Sequence, residues 1–234
     1  MKKFVKNVLM IVSSLFFPKR CAVCNKVIHF HRDYCDNCFY KIKRVPDNLN
    51  NGWCKNSSLR ISKYINQYFD GYCAPFYYFD GGGAVVKNYK IGPRSELAEL
   101  LVPEMRNTFL KFYFDINFDF ICGVPMTKAD QSKKGFNHIE LLCEKLSEEI
   151  DVPLEYEVLK QTKPKLPQHD LKRNARFKNV KGIYELDKSA EVSGKTVLLI
   201  DDISTTGATI NECAKILKRG GANKVYCLLA TIGD

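Results

Sequence analysis

Near its C-terminus the chain reads V197-L-L-I-D-D-I-S-T-T-G-A-T-I210. Four apolar residues run into two adjacent acids, Asp201 and Asp202, and then into Ser204, Thr205, Thr206, Gly207, Ala208 and Thr209. Such an apolar run reads as a buried strand, and in an open α/β sheet ligands bind at the carboxyl ends of strands. The small residues lead into a helix, whose first N–H groups lack intrahelical partners and whose dipole favours an anion. Hydroxyls on Thr205, Thr206 and Thr209 add donors, and Gly207 lets the backbone approach a ligand closely. The loop therefore suits a phosphate monoester. The acids beside it do not, because like charges repel; they suit the vicinal hydroxyls of a sugar, or a magnesium ion. Phosphate on one side and a diol on the other describe a ribose 5-phosphate, with Asp201 and Asp202 as candidate catalytic residues. The plainer alternative is a strand, a turn and a capped helix with no ligand.

A second constellation lies near the other end, in C21-A-V-C-N-K-V-I-H-F-H-R-D-Y-C-D-N-C38. Each CxxC turn can aim two thiolates at one point, so Cys21, Cys24, Cys35 and Cys38 can close a tetrahedral site. That arrangement suits structural Zn2+ and leaves no open position for catalysis. A redox pair would need only one CxxC. His29 and His31 are expected to be exposed, since four thiolates complete the shell. Cys54 and Cys73 lack CxxC partners and are not assigned a second metal. Cys122 and Cys227 sit in apolar runs and read as inert core thiols.

The elements that must hold these groups follow from pattern. Residues 72–79 read as a strand broken by Gly81, Gly82 and Gly83. Leu97, Leu100, Leu101, Met105 and Leu110 form the apolar stripe of a helix over 95–111. A strand over 118–124 ends at Pro125, and helical spacing returns over 139–150. Residues 160–181 are rich in Lys and Arg with little periodicity, and read as a mobile basic loop. Buried strands at 197–200 and 225–229 flank a helix over 209–218 that Gly220 and Gly221 end. Strands alternating with helices predict an α/β fold, a mostly parallel sheet with helices on both faces.

The chain has 234 residues, 45% of them apolar, enough to bury a core and against disorder. Its net charge of +10 favours phosphate-bearing partners. Ten cysteines with paired CxxC spacing read as cytoplasmic and metal-binding rather than disulfide-stapled. Residues 1–17 mimic a signal peptide, but they are too short to span a bilayer and no small-x-small site follows. Phe4, Val8, Val12 and Leu15 instead predict an amphipathic helix docked on the body, without stable membrane insertion. Residues 39–70 are polar and read as a linker or lid. Two domains are expected: 1–55, the helix, zinc module and linker, and 56–234.

The stretch from Val197 to Thr209 resembles the phosphoribosyl-pyrophosphate (PRPP) motif of type I phosphoribosyltransferases. Upstream pieces resemble one branch of that superfamily, the competence-related ComF family: L15-F-F-P-K-R-C-A-V-C24, V124-P-M126, K134-G-F-N-H138 and L166-P-Q-H-D-L-K-R-N-A-R-F-K-N-V180. The resemblance implies a type I phosphoribosyltransferase fold preceded by a small zinc-binding module. It implies that Asp201 and Asp202 face the ribose hydroxyls and that Ser204 through Thr209 hold the 5-phosphate. Thr127 and Lys128 would face the pyrophosphate, Lys133 and Lys134 would lie in a closing loop with Gly135 and Phe136, and Mg2+ would accompany PRPP. Arg173 and Arg176 would reach phosphates of PRPP or of nucleic acid. The chain departs from the family at Lys134 and His138, where an arginine and a glutamine are usual. It carries Thr205 where purine-salvage relatives have an aspartate that accepts a proton, so purine salvage is not expected.

Two functions stay open. In the first, the protein binds PRPP and acts in uptake or processing of single-stranded DNA during natural transformation, with single-stranded DNA and other DNA-uptake proteins as partners. Basic loops near Phe136, Phe177 and Tyr184 fit that reading, although ordinary core packing accounts for any one of those rings. In the second, the protein is an active phosphoribosyltransferase of nucleotide metabolism with an unknown acceptor. A regulator using the site as a sensor ranks behind both.

Overall fold

The computed structural model describes residues 18–47, 66–90, 94–127, 131–132, 136–163 and 173–233, apart from the side chains of Asp80, Arg173, Asn174 and Arg176. The helix expected over residues 4–15, the boundary at 55/56, Cys54 and most of the polar stretch 39–70 lie outside these residues.

The strands, in chain order, are β1 (Gly71–Cys73), β2 (Phe76–Tyr77), β3 (Phe120–Gly123), β4 (Leu159–Gln161), β5 (Tyr184–Leu186), β6 (Thr196–Ser204) and β7 (Lys224–Ile232). The helices are α1 (Asp36–Phe39), α2 (Gly83–Lys90), α3 (Ala98–Phe112), α4 (His138–Ile150), α5 (Arg173–Val180) and α6 (Ala208–Arg219). The main sheet runs β1–β7–β6–β3, all parallel, with β2 also pairing β7. β4 and β5 form a separate antiparallel ribbon.

β6 is buried on both faces, so its side chains alternate between two layers. Val197 and Leu199 pack with Ile210, Cys213, Ala214 and Leu217 of α6. Leu198 and Ile200 pack with Val85 and Val86 of α2, Leu101 and Met105 of α3, and Leu142 and Leu146 of α4. The same alternation continues into the two acids. Asp201 falls on the α6 side and Asp202 on the side of α2, α3 and α4.

Several expectations need correction. The strand over 72–79 is interrupted at Ala74-Pro75, where proline has no N–H to give a ladder, and it ends at Tyr77 in a wide π turn over Tyr78–Gly82. The strand thus ends before the glycines: Gly81 and Gly82 lie in the π turn, and α2 starts at Gly83. Leu110 is 39% exposed and lies off the buried stripe of α3. β6 runs through both acids to Ser204 rather than stopping at Ile200. The basic stretch 160–181 is not one loop: it holds the end of β4 and all of α5.

Candidate functional site

The turn from β6 into α6 leaves the first N–H groups of a helix without intrahelical partners, the backbone arrangement that suits an anion. Gly207 caps α6 with φ 75° and ψ −1°, in the left-handed region that glycine adopts without a Cβ clash. The Thr206 hydroxyl accepts from the N–H of Ala208 at 3.4 Å, holding the first turn in place. The end of β7 closes over the loop, where Gly233 N–H donates to the Ser204 carbonyl at 2.8 Å. β3 lies next to β6 in parallel, with Gly123 opposite Ile200. The turn from Val124 to Thr127 therefore leaves the same edge of the sheet, and Val124 N–H donates to the Ile200 carbonyl at 2.9 Å. Gly207→Ala is expected to cost about 1–2 kcal/mol through the left-handed strain. That corresponds to a fall of roughly 2–8 °C in thermal midpoint for a chain of this size, read by calorimetric melting.

The two acids have different surroundings. Asp201 is 7% exposed, and its Oδ1 accepts from the N–H of Asp202 at 2.9 Å. Asp202 is 3% exposed, and its Oδ2 meets two groups at once. Lys90 Nζ, at the end of α2, lies 2.7 Å away. His138 Nε2, at the first residue of α4, lies 2.6 Å away. Burial alone would raise the Asp202 pKa, but the Lys90 ammonium and the His138 hydrogen bond outweigh it and hold the carboxyl well below the usual carboxylate range. Burial would lower the Lys90 pKa, yet Asp202 more than offsets that and raises it. The pair is thus charged at neutral pH. An ionised carboxylate only accepts, so His138 Nε2 carries the proton of their hydrogen bond.

Local sequence explains how α2 and α4 deliver these groups. Asn137 caps α4, its Oδ1 accepting from the N–H of Glu140 at 3.2 Å, which seats His138 at the helix mouth. Tyr89, buried in α2, donates its hydroxyl to the His138 carbonyl at 2.7 Å. Sequence reasoning missed Lys90 altogether and saw His138 only as a departure from a family pattern. The signal for α2 was the spacing of Val85, Val86 and Tyr89, hidden by the glycines before it. The expectation gave Asp201 and Asp202 one shared task, whereas strand alternation sends them to opposite layers.

The other expected residues are placed as follows. Thr127 stands in the turn after β3, where its carbonyl accepts from Gln131 N–H at 3.0 Å. Lys128, Lys133 and Lys134 lie outside the described residues. Arg173 and Arg176 belong to α5, which packs on α6. Of the three rings considered for stacking, Tyr184 is buried in the core, and Phe136 and Phe177 are partly buried against it. Phe136 lies edge-on to Tyr89 at 5.7 Å between ring centres. Among the described residues, these three rings pack in or against the core rather than standing exposed.

The four N-terminal cysteines do converge. The sulfurs of Cys21, Cys24, Cys35 and Cys38 all lie within 4.8 Å of one another. Cys24 and Cys35 are 3.8 Å apart, and four sulfurs at zinc bonding distance from one centre stand about 3.8 Å from each other. Burial would raise the Cys21 thiol, but backbone N–H groups of Cys24, Cys35 and Val23 bring it down to about 6. Burial pushes Cys38 up to about 12, so a cation is needed to ionise it. The cluster fits a single structural zinc. His29 and His31 are exposed, and Cys73 is buried in the core.

With this geometry in hand, comparison with known proteins is specific. Residues 140–231 match the phosphoribosyl transferase domain family. Competence protein F of Haemophilus influenzae is 25% identical over 225 residues, covering 90% of this chain and 95% of that protein. Competence protein ComFC of Bacillus subtilis is 28% identical over 206 residues, covering 88% and 74%. The DNA utilization protein YhgH of Salmonella typhi is 31% identical over 222 residues, covering 91% and 90%. The chain belongs to the ComF family. Its parallel sheet with helices on both faces is the type I phosphoribosyltransferase fold, and the ComF chain carries a four-cysteine cluster ahead of it that could hold zinc. Among the described residues, no helix of this ComF protein is long and apolar enough to cross a membrane.

Proposed function

We propose that the protein binds PRPP at the turn from β6 to α6 and acts in the handling of single-stranded DNA during natural transformation. The observation that carries the ligand reading is the helix N-terminus at Gly207, with hydroxyl residues around it and an acid on the strand that feeds it. Asp201 serves the ribose diol from the α6 side. The turn ending at Thr127 serves the pyrophosphate, with Mg2+ carried there by the ligand. The DNA reading draws on relatives named for competence and DNA utilization, and on the +10 charge. Arg173 and Arg176 on α5 are the residues we assign to phosphates of the strand or of PRPP.

Calorimetric titration of Mg–PRPP into the zinc-loaded chain tests the ligand. Saturable binding is expected, weakened at least about tenfold in Asp201→Asn, the scale of one charge-assisted hydrogen bond. Absence of binding to folded protein would sink it. A labelled single strand, titrated across salt, tests the DNA reading: affinity is expected to fall steeply with salt, and a flat response would count against it. If PRPP binds and pyrophosphate is released with some acceptor, the protein is instead a transferase of nucleotide metabolism.

A further inference from the structure

The zinc module and the phosphate turn share one mechanical element, α2. Ala22 and Val23 lie between two of the zinc ligands, in the first cysteine knuckle. Asn88 of α2 donates from Nδ2 to both of their carbonyls, at 2.8 and 3.1 Å. Asn25, the residue after that knuckle, returns a hydrogen bond from its own amide to Asn88 Oδ1 at 3.3 Å. Arg94, just beyond α2, donates to the carbonyls of Arg20 and Cys21 and to Asn25 Oδ1 at 2.6 Å. Ala22 itself is fully buried, in the same layer as Val85, Val86 and Tyr89 of α2. Two residues after Asn88 stands Lys90, whose ammonium holds Asp202. Between them Tyr89 holds the carbonyl of His138, the other group on Asp202.

We propose that Lys90 is a positioning residue for the phosphate turn, and that zinc in the four-cysteine module sets its position through Asn88 and α2. The metal fixes the knuckle, the knuckle carbonyls fix α2, and α2 fixes the acid that leads into the turn. Metal and anion binding are then linked, and linkage is reciprocal. The anion half of this inference rests on the PRPP reading; the metal half does not.

The experiment uses the full chain. Zinc is removed with a chelator, and amide hydrogen exchange is followed in peptides covering 83–90, 201–209 and 224–232. Exchange at 83–90 and 201–209 is expected to rise about tenfold, within the usual range of coupling between sites, while 224–232 changes little. Unchanged exchange at 201–209 would overturn the proposal. If chelation unfolds the whole chain, Asn88→Ala decides instead: with zinc still bound, 201–209 must exchange faster than in the parent, and an unaltered rate overturns it. Lys90→Met is expected to loosen the same segment and Lys90→Arg to restore it, which loss of packing alone would not do. Mg–PRPP is expected to slow zinc release about tenfold in the parent and not in Asn88→Ala, by the same reciprocity. Failure of PRPP to bind removes the PRPP reading while the exchange arm still judges the link; binding without any change in zinc release removes the link.

Discussion

Asp202→Ala is expected to lower the thermal midpoint by roughly 6–12 °C, corresponding to about 3 kcal/mol for a chain of this length. Removing one partner of a buried ion pair is costly because the other charge stays behind. Here the ammonium of Lys90 loses its counter-charge, and His138, itself buried, loses its acceptor. The Lys90 side chain keeps a quarter of its surface in water, which places the effect toward the lower end of the range for buried pairs. Asp201→Ala removes the hydrogen bond from the Asp202 N–H, itself worth about 1 kcal/mol, and leaves the Lys90–Asp202 pair in place. Lys90→Met combined with Asp202→Asn should lose less than the sum of the single changes, because each single change strands a charge and the double change strands none.

The pH dependence has a definite sign. The Asp202 pKa is lower in the folded chain than in the unfolded one. Its contribution is therefore present above the unfolded value of about 3.9 and is lost as pH falls below it. The gap in stability between the parent and Asp202→Ala should be full at neutral pH and shrink on acidification below about 4. Melting curves from neutral to acid pH check this; a gap that widens toward acid would contradict the assignment.

Cys38→Ser is expected to abolish zinc binding and melt the module over residues 18–47. A segment this small buries little apolar surface, and free energies of about 10–16 kcal/mol for structural zinc in finger peptides show how much of such a fold the metal supplies. Metal analysis should fall from one zinc per chain to nearly none, and trypsin should cut at Lys26 and Arg32 under conditions where the parent resists. Holding Cys38 as a thiolate needs the cation, since burial alone favours its protonated form. Zinc uptake should therefore release protons, and retention should weaken as pH falls. The contacts beyond the knuckle have their own strength. Arg44 grips Glu104 of α3 with both terminal guanidinium nitrogens at 2.6 Å, and Lys111 reaches Asp47 at 2.6 Å. The Lys111–Asp47 pair is solvent-exposed and adds little, and the single bidentate pair at the partly buried Glu104 is small beside the free energy of a structural zinc, so the metal decides whether the module is ordered.

What could be read from the sequence was whatever is written in short range. The apolar run, the acids, the small residues and the helix after them occupy adjacent positions, so strand, glycine turn and helix were all legible. The cysteine spacing was legible for the same reason. Lys90 was not, because its partner is far along the chain and α2 announces itself with only three apolar residues after a run of glycines. β4 and β5 are three residues each, too short for alternation to register against a basic background. The opposed directions of Asp201 and Asp202 could have been read from strand alternation. The apolar run alone hides this, because it ends at Ile200 whereas β6 continues to Ser204.

The composition of β6 has a consequence for how the chain finds its alignment. From Val197 to Asp202 the strand offers an apolar residue to each layer, twice over, and then an acid to each layer. A slip by one residue would leave this part of the molecule almost indistinguishable from the correct fold, with Asp201 presented to Lys90 instead of Asp202. Most strands punish such an error by turning their apolar side to water; this one does not. The error is felt only downstream, where the whole turn would be displaced by about 3.3 Å. Thr206 would then occupy the position of this turn that has a left-handed backbone. Gly207 is in that sense the reading-frame mark of the site, telling apart two alignments that the apolar run from Val197 to Ile200 distinguishes poorly.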